Sequence, residues 1–209
     1  MHSFSTLMGK QTLLPIIQAN TVSQGVETAK AMVAAGIQLV EVVLRTDVSL
    51  DVINTLKKEL PELHVGAGTV IDGTILKQAL EVGSDFIITP TISTKLLTEL
   101  SNCPVPVLPG VANAADILLA REFGYTQLKL FPASLAGGTP FLNAMSSIFQ
   151  DIIFCPTGGI NEKNQQDYLA LSNVFAVGGT WVAKKEWVES ENWAQITAAC
   201  AASNQVGRV

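Results

Sequence analysis

The chain is poor in most of what marks a specialised class of protein. Charge is scarce: Asp, Glu, Lys and Arg make up 15% of its 209 residues, and the 13 basic residues are outnumbered by 18 acidic ones, for a net charge of −5. So little basic charge argues against a nucleic-acid footprint or an anionic membrane surface, and leaves room only for a local anion site. The three cysteines, Cys103, Cys155 and Cys200, are far apart and show no Cys-x-x-Cys spacing, which argues against a disulfide framework and a structural zinc site. With two histidines and no grouping of His, Asp or Glu at ligand spacing, no metal site can be assigned. Prolines break the longest apolar runs well short of the ~20 residues of a membrane span. The segment Met1-His2-Ser3-Phe4-Ser5-Thr6 lacks the basic start and apolar stretch of a signal peptide, so the expected location is the cytoplasm, with His2 in a flexible end.

What the chain does have is apolar material, 48% of it hydrophobic, with no seam in composition, so one domain is expected over residues 1–209. Short strand-like runs recur at Leu13–Ile17, Leu39–Leu44, His64–Ala67, Phe86–Thr89, Val105–Leu108, Gln127–Phe131, Ile152–Pro156 and Val174–Val177. Helical spacing fills the gaps, as in Gln24–Ala35, Leu50–Leu60, Ile75–Val82 and Ala114–Phe123, and Gly36, Gly83 and Gly124 read as helix stops. A strand–helix rhythm repeated eight times predicts an α/β fold, a (β/α)8 TIM barrel. An open doubly wound sheet is the rival, yet no G-x-G-x-x-G follows the first strand, and Gly66-Ala67-Gly68 follows the third without completing that motif.

One residue contradicts its surroundings. Lys129 sits inside Gln127-Leu128-Lys129-Leu130-Phe131-Pro132, where every neighbour reads as buried strand. An ammonium in low dielectric loses its hydration, and a free amine so placed can form an imine with a carbonyl substrate. On a barrel, alternation turns Gln127, Lys129 and Phe131 to the lumen, and in the second strand Leu39, Glu41, Val43 and Arg45. Glu41 and Lys129 are thus expected to meet across one pocket, either as a structural ion pair or as catalytic partners. Arg45 and Thr69, at the ends of the second and third strands, could hold a 2-oxo acid by its carboxylate; standing alone, Arg45 reads as a solvated loop charge and Thr69 as an ordinary strand-end hydroxyl.

The last two strands run into glycine pairs, Pro156-Thr157-Gly158-Gly159 and Val177-Gly178-Gly179-Thr180. Loops after the seventh and eighth barrel strands commonly receive phosphate, and the bare backbone here would let amides approach it, with Thr157 and Thr180 adding hydroxyls. Asn161 is read as a cap for the next helix, His64 and Cys155 as structural, and Trp181, Trp187 and Trp193 as packing for the last helix.

Two stretches, Gly36 to Arg45 and Gly124 through Lys129-Leu130-Phe131-Pro132-Ala133 to Gly137, resemble the signatures of the class I 2-keto-3-deoxy-6-phosphogluconate (KDPG) / 4-hydroxy-2-oxoglutarate (KHG) aldolases. Gly66-Ala67-Gly68-Thr69, Thr89-Pro90, Pro109-Gly110, Cys155 to Gly159 and Val177 to Trp181 match further motifs in order. The resemblance implies a cofactor-free aldolase working through an imine on Lys129, with Glu41 as general acid/base and Arg45 and Thr69 on the carboxylate. It implies Pro90 and Phe131 as pocket walls, and Thr157, Gly158, Gly159, Gly179 and Thr180 at the phosphate end. It also implies a homotrimer with pyruvate and a phosphorylated aldehyde as its small-molecule partners. Val43 replaces the family's usual threonine, Gln18 stands where some relatives carry arginine, and Ile16 occupies a position tied to stereochemical preference; these bear on substrate rank. The alternatives are an aldolase for the 6-phosphogalactonate epimer, another phosphosugar barrel enzyme, or a non-catalytic phosphometabolite-binding barrel.

Overall fold

The structure, a computed structural model, describes residues 3–204; His2 lies outside them. The first half runs α1 (Phe4–Met8), β1 (Leu13–Ile17), α2 (Val22–Ala34), β2 (Leu39–Val43), α3 (Ser49–Glu59), β3 (His64–Gly68), α4 (Gly73–Glu81), β4 (Phe86–Ile88) and α5 (Thr94–Leu100). It continues with β5 (Val107–Leu108), β6 (Gly110–Val111), α6 (Ala114–Glu122), β7 (Gln127–Leu130), α7 (Gly138–Ile148), β8 (Ile153–Phe154), α8 (Gln165–Leu169), β9 (Val177–Gly179), α9 (Lys185–Glu189) and α10 (Trp193–Asn204).

The helix stops are where the glycines placed them. At Gly36, Gly83 and Gly124 φ is 80°, 86° and 86°, in the left-handed region that side chains resist. The amide of the following residue reaches back into the helix in each case: Ile37 to the Met32 carbonyl, Ser84 to Ala79 and Tyr125 to Ala120. A Cβ at Gly36 or Gly124 would meet nothing within 4 Å, so conformation and not space demands glycine there.

The strands form a six-stranded sheet, β5-β4-β3-β2-β1-β9, and a three-stranded sheet, β6-β7-β8, parallel throughout. Alternation sorts the apolar residues into two cores. Val40, Val42, Val65, Ala67, Ile87, Leu128 and Leu130 pack outward against the helices. Leu14, Leu39, Phe86, Ile88, Leu108 and Cys155 fill the concave side of the curled sheet. Phe4 and Met8 of α1 close the base of this inner core, Phe4 edge-on to Phe86 at 5.1 Å between ring centroids. Gln127 of β7 clasps the same helix, accepting from the Ser5 amide and donating to the Ser5 hydroxyl, both at 2.8 Å.

Three strands differ from expectation, each for a backbone reason. The run Val105–Leu108 pairs only from Val107, and Pro109 then divides it: Val107–Leu108 joins β4, and Gly110–Val111 joins β7. The run Ile152–Pro156 keeps ladder pairing over Ile153–Phe154 alone. The final strand lies at Val177–Gly179 instead of Val174–Val177, because its glycines are ladder residues and not turn residues. Parallel bridges Phe154–Val174 and Thr157–Gly178 connect β8 to that last segment. Inside β1, Pro15 has no N–H to give its β2 neighbour, and the Leu39 carbonyl is met by the buried Gln11 side chain at 2.9 Å.

Candidate active site

Glu41 and Lys129 are the charged residues of the inner face, each on a buried strand and each beside glycine. Glu41 is in register with Gly66, and Lys129 with Gly110. A Cβ on Gly68 would overlap Glu41 Oε1, so the carboxylate lies in space that glycine leaves open. Lys129 Nζ donates to Glu41 Oε1 at 3.1 Å and Oε2 at 3.3 Å, with Lys129 4% exposed and Glu41 fully buried. Burying two charges costs desolvation of several kcal/mol per ion, roughly, and an apolar pair of the same size would commonly be as stable. The pair is therefore no sign of a gain in stability.

The ammonium also stands 5.3 Å from the centroid of the Phe131 ring, a cation–π contact at the mouth of the site. Cys155 shares this interior: burial pushes its thiol up to about 12, with the nearby Lys129 opposing and Glu41 adding to the shift. It stays a neutral thiol near pH 7, consistent with its structural reading.

Arg45 and Thr69 come together just past β2 and β3, Arg45 Nε donating to Thr69 Oγ1 at 3.2 Å. Thr69 takes φ 66°, a left-handed conformation costly for a β-branched residue. Such an outlier survives where its surroundings impose it, here where the hydroxyl meets the guanidinium. The loop carrying Arg45 is tied down by residues that no motif pointed to. Thr46 Oγ1 donates to the Ala19 carbonyl at 2.8 Å, and Ser49 Oγ to the Val43 carbonyl at 3.0 Å. Pro90, partly buried after β4, packs where a Cβ on Gly110 would intrude, and the buried Thr89 hydroxyl accepts from the Gly110 amide at 3.0 Å. Gly68, Thr89 and Gly110, which matched family motifs without an assigned role, are thus supports of the site, and Ser49 is one that sequence reasoning missed.

At the other side of the rim, Gly158 and Gly159 hold consecutive left-handed conformations, φ 96° and 79°, and their amides take no partner among the described residues. Two such amides in succession make a concavity suited to an anion. The loop after β7 is laced to this turn, Ala133 and Ser134 donating to the Thr157 and Gly158 carbonyls at 2.8 and 3.0 Å. Thr157 is buried, its Oγ1 packed where a Cβ on Gly178 would fall, 2.5 Å away. Thr180, beyond Gly179, is exposed. Asn161 does not cap α8 by side chain; it makes a turn before it, its Oδ1 accepting from the Lys163 amide at 2.9 Å. Among the described residues no group of His, Cys, Asp and Glu could hold a metal, and no helix is long and apolar enough to cross a membrane.

A parallel α/β sheet that buries a lysine against a carboxylate, between an arginine and an anion-ready glycine turn, defines the class: a carbon–carbon lyase built around a lysine. The family model described as KDPG and KHG aldolase matches residues 5–199, and the chain belongs to that family. It is 42% identical over 191 residues to a 2-dehydro-3-deoxy-phosphogluconate aldolase of Pseudomonas aeruginosa, covering 91% of this chain and 87% of that one. It is 35% identical over 195 residues to a KHG/KDPG aldolase of Escherichia coli K12, covering 93% and 92%. Among solved structures, a KDPG aldolase of Legionella pneumophila, with pyruvate captured at low pH as a covalent carbinolamine intermediate, matches with a TM-score of 0.94 at 36% identity, over 96% of this chain and 98% of that one.

Proposed function

We propose that this chain is a Schiff-base aldolase that reversibly cleaves 2-dehydro-3-deoxy-6-phosphogluconate to pyruvate and D-glyceraldehyde 3-phosphate. The observation that carries the reading is the buried Lys129–Glu41 pair, in which both carboxylate oxygens lie within 3.3 Å of the amine. Glu41 takes a proton from Lys129, and the neutral amine attacks the C2 ketone while Arg45 and Thr69 hold the C1 carboxylate between walls formed by Pro90 and Phe131. Glu41 gives that proton to the carbinolamine hydroxyl, which leaves as water; the carboxylate is restored, and the iminium that remains draws electrons from the substrate. Glu41, directly or through a water, accepts the C4 hydroxyl proton; the C3–C4 bond breaks, its electron pair forms the enamine, and the aldehyde departs. The phosphate end of the aldehyde rests on Thr157, Gly158, Gly159, Gly179 and Thr180. Glu41 returns its proton to C3 of the enamine, and hydrolysis frees pyruvate and Lys129. Every step runs on the protein's own side chains, without a cofactor.

The proposal extends to the whole chain as one domain closed into an eight-stranded barrel. Two amides that step from one sheet to the other support this closure, Phe175 to the Phe154 carbonyl at 3.0 Å and Gly178 to the Pro156 carbonyl at 2.9 Å. The family resemblance supports a homotrimer, and the three free cysteines favour a reducing cytoplasm. A second substrate, 4-hydroxy-2-oxoglutarate, split to pyruvate and glyoxylate, is favoured by the Escherichia coli relative that bears both substrates in its name.

The test is pyruvate release by the purified protein from each candidate 2-oxo acid. The expected result is the highest kcat/KM on 2-dehydro-3-deoxy-6-phosphogluconate and none with Lys129→Ala; release from no candidate would overturn the assignment.

A further inference from the structure

A cavity of about 450 Å³ opens beside Thr180, between the loop leaving β1 and the segment joining β9 to α9. Gln18, Asn20, Thr180, Lys184, Lys185 and Glu186 give it its polar lining. Its position divides the rim of the site by charge. On the arc of β2 to β4, Arg45 supplies a cation for the carboxylate end of a substrate. On the arc of β8, β9 and β1, the groups proposed for phosphate (Thr157, Gly158, Gly159, Gly179 and Thr180) are all uncharged. A phosphate monoester brings nearly two negative charges, and amides with hydroxyls alone leave them without a counter-charge.

The cavity supplies that charge, and its two lysines are not equivalent. Lys185 is engaged along its own helix, 3.6 Å from Glu189. Lys184 makes no ion pair among the described residues; its ammonium lies 4.7 Å from the centroid of the Trp187 ring. The aromatic face holds the ammonium in place, and the side away from the ring keeps N–H groups free to donate, so part of the ordering cost of binding is already met. Glu186 lines the same space and repels an anion, which makes a cation there more consequential.

We propose that Lys184 is a specificity-determining residue: it provides the counter-charge for the distal phosphate and selects phosphorylated over unphosphorylated 2-oxo acids. This deepens the aldolase reading and rests on it. Lys184 touches none of the bonds that change, so its contribution falls on binding and not on the chemical steps.

The experiment compares wild type, Lys184→Ala, Lys184→Arg and Lys185→Ala on 2-dehydro-3-deoxy-6-phosphogluconate and on its unphosphorylated counterpart. Lys184→Ala is expected to raise KM for the phosphorylated compound about tenfold, the size of one charge-assisted contact, and to spare its kcat. The same variant should leave the unphosphorylated compound unaffected, Lys184→Arg should restore KM, and Lys185→Ala should change neither. An equal effect on both substrates, or no effect on either, would overturn the proposal. Titration with glycerol 3-phosphate, which forms no imine, separates this inference from the one beneath it. Binding that weakens in Lys184→Ala supports Lys184 even if pyruvate fails to attach to Lys129. Binding indifferent to Lys184 rejects its role even if the imine forms.

Discussion

In the proposed mechanism the two charges on the inner face of the sheet carry the chemistry, and the carboxylate depends on a residue that is nearly nothing. Glu41 has room because position 68 is glycine. Gly68→Ala is accordingly expected to push the carboxylate away from Lys129 and slow cleavage, with a loss of about 1–3 kcal/mol in stability from overpacking a buried site. The direct substitution, Glu41→Gln, should still capture pyruvate on Lys129 but cleave substrate about 10²–10⁴ times more slowly, the usual worth of a general acid–base group; near-wild-type turnover would remove Glu41 from the mechanism. Lys129, Glu41, Arg45 and Thr69 were legible because each is the wrong residue for its place: charge in apolar strands, polarity at strand ends. The strain at Thr69 and the hydroxyl ties of Thr46 and Ser49 were not, since nothing in a one-dimensional pattern shows a φ of 66° or a hydrogen bond to a carbonyl 27 residues away.

Among the elements, the helix-stop glycines and the alternation of β2 and β7 were readable because they obey local rules: one backbone conformation, one period. What escaped reading depends on partners distant in sequence. Pro109 divides a strand between two neighbours, and α1, read only as an end segment, closes the base of the inner core with Phe4, which is 2% exposed. Phe4→Ala should lower stability by about 3–5 kcal/mol, as large aromatic deletions from packed cores do. Gln11 repairs the gap that Pro15 leaves in the β1–β2 ladder and also accepts from the Gln38 amide at 2.9 Å. Gln11→Ala leaves both backbone groups without their partner, and denaturant unfolding should show a loss of about 1–3 kcal/mol. An unchanged midpoint would mean that water replaces the side chain.

For the molecule as a whole, the scarcity of ionisable groups has a counterpart in where the thiols lie. Burial pushes Cys155 and Cys200 from an ordinary 9.0 up to about 12 and raises Cys103 as well. The folded chain therefore keeps protons that the unfolded chain releases, so stability is full below pH 9.0 and declines as pH rises from there toward about 12. Native protein near pH 8 should accordingly resist alkylation by iodoacetamide, and denaturant should expose all three thiols at once. The strand–helix alternation was readable from periodicity, but the division into sheets of six and three strands was not, because it turns on Pro109 and on single bridges.

The central claim is that Lys129 forms an imine, and reductive trapping tests it most directly: incubation with pyruvate and borohydride, then peptide mapping of the adduct. One covalent adduct per chain, located at Lys129 and absent from Lys129→Ala, is the predicted result. No adduct, or an adduct on any other lysine, would contradict the account.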